Sequence, residues 1–206
     1  MTGPGKNHPD VAHPFEAVDG AATPLTPEEK TGLIPSWVTF RHELNEVEQT
    51  NIAGGTLWAS RQQRRELLDE DFLRELHKRM LGEVWTWAGN YRTTERNIGI
   101  PAWEIATALR SLFDDARLWI KDKVFEADEL AVRFHHRLVA IHPFPNGNGR
   151  HARLMADLLV MHLGRPRFTW GCASLLEAGK IRARYVAALR QADGHDITAL
   201  LAFARS

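Results

Sequence analysis

Between residues 142 and 153 the chain reads His142-Pro143-Phe144-Pro145-Asn146-Gly147-Asn148-Gly149-Arg150, with Arg153 soon after. A histidine, paired Asn-Gly dipeptides and arginines in so short a span have the makings of phosphate chemistry. Pro143 and Pro145 bar a helix, and Asn146-Gly147 and Asn148-Gly149 are strong turn dipeptides, so the run is a loop that turns sharply. A helical pattern opens near Arg150. Backbone NH groups freed by the glycines point with the orphan NH groups of that helix start, and the positive end of its dipole adds to both arginines. The product is a cradle for phosphate. His142 supplies what such a cradle lacks, a proton acceptor that titrates near neutral pH.

The loop needs rigid elements on either side. Leu130, Phe134, Leu138 and Ile141 recur at helical spacing before it, and Leu154, Leu158 and Met161 after it, which predicts helices over roughly 128–141 and 150–163. Upstream, Thr26-Pro27-Glu28-Glu29 reads as a helix start with Thr26 as N-cap. Leu44, Val47 and Ile52 mark a helix from Phe40 that Gly54-Gly55 should end. Asp69 caps another that carries Phe72, Leu73, Leu76 and Met80 on one face. Further helical spacing runs from Trp103 to Ala116, from Tyr185 to Leu189 and from Leu200 to Phe203. Residues 89–101 break the trend, and Tyr91-Arg92-Thr93-Thr94 with Asn97-Ile98-Gly99-Ile100 suits a short hairpin. About seven helices and one short β-hairpin make a mainly α domain over residues 25–206, its core from about 44, behind an irregular arm of residues 1–24.

The 206 residues are 44% hydrophobic and 25% charged, enough for one domain with a sizeable core. The 26 basic residues balance 26 acidic ones, so direct nucleic-acid binding is not expected and any anion must be held locally. The single Cys172 excludes an intrachain disulfide framework and a cysteine zinc site. No apolar run reaches the ~20 residues that span a bilayer, and no basic-then-apolar leader is present, so the expected location is the cytoplasm, with no membrane partner. A zinc site from His135, His136, His142 and His151 is set aside, because no His-Glu-x-x-His or paired carboxylate accompanies them. His135 and His136 are read as packing or loop-bracing groups, and the tryptophans as core or groove packing.

Residues 142–153 resemble the Fic-domain motif His-x-Phe-x-(Asp or Glu)-Gly-Asn-Gly-Arg-x-x-Arg. Trp87-Ala88-Gly89-Asn90-Tyr91-Arg92-Thr93 resembles the segment that leads into the Fic target-docking hairpin, so the likeness runs from about Leu44 to the C-terminus. Glu43-Leu44-Asn45-Glu46, the form of the motif and Leu200-Leu201-Ala202-Phe203 together resemble the subgroup called mobile mystery protein B. The resemblance implies a Fic-fold helical bundle that moves AMP from ATP, with magnesium, to a hydroxyl of a target protein or of the chain itself. On that likeness His142 is the general base, and Gly147, Asn148 and Gly149 form the anion hole. Arg153 faces the terminal phosphate, Arg150 supports the loop and touches phosphate, and Phe144 anchors the loop in the core. Thr93, Asn97, Ile98 and Gly99 belong to the docking hairpin, which takes an extended target segment by strand addition. Gly149 favours nucleotidyl transfer, since relatives with lysine there phosphorylate instead. The subgroup likeness also implies a helix-turn-helix protein as a partner.

One position departs from the pattern. The family places an acid at residue 146 to hold magnesium, and Asn146 offers a neutral amide oxygen that should bind the ion more weakly. Three readings stay open: weaker magnesium use with activity retained, a different nucleotide-linked donor, or an inactive binding module of toxin-antitoxin type. Inhibitory helices in the family carry Ser/Thr-x-x-x-Glu-Gly/Asn. Thr39-Phe40-Arg41-His42-Glu43 fits the first part and Leu44 breaks it. On that pattern Glu43 would pair with Arg153 as a brake, with a solvated helix face as the alternative.

Overall fold

A computed structural model describes residues 30–62, 66–96, 98–172 and 178–206. Among them seven α-helices follow in order: α1 (Arg41–Ser60), α2 (Glu70–Leu81), α3 (Ile105–Asp122), α4 (Ala127–Ile141), α5 (Asn148–His162), α6 (Ala178–Asp193) and α7 (Thr198–Arg205). A 3-10 turn, Ala102–Glu104, leads into α3. The helix start expected at Thr26 and the arm of residues 1–24 lie outside the described residues.

The α4–loop–α5 hairpin of helices is the centre of the bundle. Residues Ala131, Val132, Phe134 and Leu138 of α4 and Ala152, Met155, Ala156 and Val160 of α5 are all buried, so the site's two supports are held from nearly every side. Helices α3, α5 and α7 pack on α4, while α1 lies along α2 and touches α5. Small residues at Ala152 and Ala156 let the two central helices approach, and rigid placement of this kind is what positions a loop for chemistry.

Helix α2 forms as expected. The Asp69 carboxylate accepts the Phe72 NH at 3.1 Å, Glu70 and Asp71 face the positive dipole end, and Phe72, Leu73, Leu76 and Met80 are fully buried. Helix α1 does not stop at Gly54-Gly55, contrary to the sequence expectation, and runs on to Ser60. The reason is a close crossing. A Cβ on Gly55 would stand 2.8 Å from Met80 Cα and 2.9 Å from the Arg79 carbonyl, so glycine lets α1 lie directly on α2. Asn51 stitches the same crossing, donating to Arg79 O at 3.1 Å and accepting from the Glu83 NH at 3.0 Å.

The expected hairpin is also corrected. No strand ladder forms among the described residues of 91–100; the described strand-like pair is one antiparallel bridge, Leu33 with Trp85. Polar groups that would have paired across a hairpin turn instead to the 142–150 loop: the Arg92 NH donates to Pro143 O at 2.9 Å. The tryptophans mostly pack as expected: Trp85 and Trp170 are buried and Trp58, Trp87 and Trp119 lie partly buried against the core, while Trp37 and Trp103 are 62% and 80% exposed.

Candidate active site

Helix α4 ends at Ile141, and the chain reverses through two left-handed residues, His142 at φ 54° and Gly147 at φ 78°. Gly147 has no alternative, since a Cβ there would stand 2.5 Å from Leu81 Cδ1. His142 holds an αL conformation that a side-chain-bearing residue keeps only when its surroundings over-determine it. Asn148 supplies part of that determination. Its side chain accepts the Phe144 NH at 2.9 Å and donates to Phe144 O at 2.8 Å, closing the loop on itself. The Phe144 ring is fully buried, stacked 3.7 Å from His77 with His151 at its edge 5.2 Å away, so its expected anchoring role matches its place.

His77 braces the loop from α2. Its Nδ1 accepts the Gly89 NH at 3.0 Å, which leaves Nε2–H to donate to Asn146 O, also at 3.0 Å. Burial pushes its pKa down to about 4 and keeps the ring neutral. His151 Nε2 donates to Leu73 O, His135 meets the Tyr185 hydroxyl at 3.0 Å, and His136 meets Asp193 at 2.8 Å, each in its own bracing contact.

His142 itself is half-buried beside the 91–100 segment. Burial first, then the charge of Arg92, press its pKa down to about 4, with a lesser push from Arg96 and against an upward pull from the Val139 carbonyl, while the buried Nδ1 meets no hydrogen-bond partner among the described residues. The imidazole is therefore neutral at pH 7, with Nε2 as the open acceptor once Nδ1 keeps the proton. Next to it the first turn of α5 presents the NH groups of Asn148, Gly149 and Arg150, which an α-helix leaves without intrahelical partners. The Asn148 side chain faces inward, so its contribution to an anion hole is its backbone. The Gly147 NH is met by Asn146 Oδ1 at 2.7 Å.

The two motif arginines part company. Arg153 lies with its guanidinium 5.5 Å from the Tyr185 ring centre, and a Cβ on Gly149 would come within 3.9 Å of the Tyr185 hydroxyl, so α6 walls the cradle on Arg153's side. Arg150 turns the other way and pairs with Glu48 of α1 at 2.8 Å. Glu48 is buried, and its second oxygen accepts from Trp85 Nε1 at 2.7 Å. Arg150 thus ties the loop to α1. The structure does not bring Glu43 to Arg153: the Glu43 carboxylate caps α1, accepting the NH groups of Thr39 at 2.8 Å and Phe40 at 3.0 Å, which hold its pKa down. Among the docking residues, Thr93 is exposed, Ile98 is half-buried and Gly99 sits against His142, where a Cβ would come 2.7 Å from His142 Cβ. Asn97 lies outside the described residues.

The donor set does not fit a resident magnesium ion. The side chain at position 146 is an uncharged amide whose oxygen is already bonded to the Gly147 NH, and no group of three or more His, Cys, Asp or Glu side chains that could hold a metal occurs among the described residues. A separate cleft of about 670 Å³ runs along α2, lined by Asp71, Arg74, Lys78, Glu83 and Asn90 among others, and no residue of the loop reaches it.

Four residues that shape the site escaped the sequence reading: His77, Glu48, Arg92 and Tyr185. His77 left a trace, a titratable ring set in the apolar face of α2 between Leu73, Leu76 and Met80. The others reach the loop from α1, the 91–100 segment and α6, and nothing in their local sequence marks that reach.

Among the described residues seven helices place His142, at the end of α4, next to the open N-terminus of α5, an α-helical fold with one loop at its centre. Residues 67–160 match the Fic/DOC family. It is 35% identical over 108 residues to a protein adenylyltransferase Fic of Nematostella vectensis, covering 50% of this chain and 25% of that protein. It is 31% identical over 135 residues to protein adenylyltransferase fic-1 of Caenorhabditis elegans, covering 62% of this chain and 24% of that protein. The chain thus spans about a quarter of the length of these relatives. Its fold is similar to the solved structure of C. elegans Fic-1 residues 134–508, with TM-score 0.62 and 25% identity, over 90% of this chain and 55% of that one. No helix among the described residues is long and apolar enough to cross a membrane.

Proposed function

We propose that the chain is a protein adenylyltransferase that moves AMP from ATP to a hydroxyl side chain of a target protein or of itself. The observation that carries this reading is the placement of a neutral, half-buried His142 beside the open first turn of α5, with Arg153 on its far side. His142 Nε2 takes the proton of the target hydroxyl as that oxygen bonds to the α-phosphorus. The bond from this phosphorus to the oxygen bridging to the β-phosphate breaks, and pyrophosphate leaves with the electron pair. Charge gathering on the phosphoryl oxygens meets the NH groups of Asn148 and Gly149 and the Arg153 guanidinium, fixed donors of a kind worth about 3 kcal/mol each in a water-poor site. Arg150, paired with Glu48, supports the loop in this scheme. Thr93, Ile98 and Gly99 offer backbone to an extended target segment in this reading, and the family likeness assigns Asn97, outside the described residues, to the same docking role. Any magnesium would arrive on the nucleotide's own phosphates, with Asn146 adding no negative charge. The unit that acts is residues 25–206, placed in the cytoplasm and in the mobile mystery protein B subgroup, with a helix-turn-helix protein as partner.

A second reading rests on one contact. Asn146 Oδ1 occupies the Gly147 NH, so a neutral amide already uses one donor of the cradle. That favours a weakened or inactive binding module of toxin-antitoxin type, or a donor other than ATP. A screen of nucleotide donors by intact mass separates them. The adenylyltransferase reading expects a gain of one AMP unit on the chain or its target with ATP alone; nucleotide binding without transfer from any donor supports the module.

A further inference from the structure

The 91–100 segment buries one cation. Arg92 is 3% exposed, and its guanidinium is surrounded by carbonyl oxygens. Nε donates to His142 O at 2.7 Å, Nη1 to Thr94 O at 3.2 Å, and Nη2 to Ile100 O and to Ile141 O, the latter at 3.4 Å. Its backbone NH donates to Pro143 O at 2.9 Å. Three successive carbonyls, of residues 141, 142 and 143, are therefore held by one residue about fifty positions away in sequence. Glu95 stands 3.9 Å from Nη1 with its side chain largely in solvent, so carbonyl dipoles do most of the balancing of the buried charge. Two of those carbonyls belong to the negative end of α4, where a cation is favoured.

We propose that Arg92 is the positioning residue of the transfer reaction: by clamping the carbonyls on both sides of His142 it sets the left-handed turn that aims the imidazole at the cradle. This rests on the reading of His142 as general base. The clamp explains how a residue with a Cβ keeps φ 54° here, with its own NH bonded to Leu138 O at 3.2 Å and its carbonyl to Arg92. It also explains Gly99, since a side chain there would collide with both His142 Cβ at 2.7 Å and Arg92 Nη2 at 2.9 Å. Charge adds to geometry. The groups that face the His142 ring are Arg92, Arg96 and the Val139 carbonyl, with Glu95 beside Arg92, and the two arginines disfavour an imidazolium before substrate arrives. Arg92 touches neither nucleotide nor target in this scheme and acts through His142 alone.

The test compares wild type, R92K, R92M and H142A. Labelled-ATP transfer is followed by steady-state kinetics, and the His142 ring is followed by NMR titration. In R92M, kcat should fall about a hundredfold, the size of a misplaced base, while the KM for ATP changes little because α5 is untouched. R92K, which keeps the charge but not the fork, should lie between them. Millimolar guanidinium should restore part of the R92M rate. The His142 titration should move up from about 4 in R92M, while burial, its larger cause, keeps it below the ordinary 6.5. Transfer that needs His142 but is unchanged in R92M overturns the proposal, and so does an unmoved His142 titration. If wild type transfers no AMP, the general-base reading fails by itself, and the titration still decides whether Arg92 sets the histidine.

Discussion

The 142–150 loop and the 91–100 segment meet at His142, yet they are held in opposite ways. The loop holds itself: Asn148 closes on both backbone polar groups of Phe144, four residues back, and Phe144 carries the turn into the core. The 91–100 segment is held by a partner distant in sequence, through Arg92 reaching the carbonyls at the end of α4 about fifty residues on. A loop closed by its own side chains carries its shape in a dozen letters. A segment fastened by one long side chain does not.

Breaking the local closure should have the largest effect. Asn148→Ala leaves the buried NH and carbonyl of Phe144 without partners, at about 1–3 kcal/mol each, and urea unfolding should show a loss of about 2–6 kcal/mol with ATP binding impaired. A loss below about 1 kcal/mol would mean the loop is fastened elsewhere.

Acid should loosen the loop from the chain that leads into the 91–100 segment, because His77 joins Gly89 to Asn146. Its folded pKa lies near 4 against an ordinary 6.5, so the unfolded chain binds its proton first. Stability from this group is complete above pH 6.5 and fades as pH falls towards 4, by about 3 kcal/mol. Unfolding measured across that range should show the slope, and His77→Gln should make it shallower, leaving the part due to the other buried histidines.

The distant closure is more sensitive in function than in stability. Gly99→Ala places a Cβ against His142 at φ 99° and should cost about 1–3 kcal/mol, with transfer reduced and ATP affinity kept. Equal losses of both would place Gly99 in the nucleotide site instead. The smallest effect falls on Glu43, whose carboxylate caps α1: Glu43→Ala should lower the melting temperature slightly and leave self-labelling unchanged. A rise in labelling would restore it as a brake on Arg153.

Much of this was legible because it is local. The Asn-Gly pairs, the prolines and the flanking periodicity foretold the loop, α4 and α5, and Asp69 foretold the start of α2. Gly54-Gly55 misled because a glycine that ends a helix and one that admits a neighbouring helix look alike until Met80 is seen against it. The hairpin misled because β-favouring residues such as Tyr91, Thr93 and Ile98 describe an extended chain, not what it bonds. The choice between Glu43 and Glu48 turns on which face of α1 meets the loop, a packing fact: Glu48 reaches Arg150, and Glu43 stays at the helix start.

The central claim is that His142 and the α5 turn transfer AMP. Parallel incubations of wild type and H142A with ATP labelled at the α- or at the γ-phosphate test it most directly. Label from the α-position alone, lower in H142A by about a hundredfold or more, is the predicted result. Label from the γ-position, or equal α-label in both proteins, would contradict it.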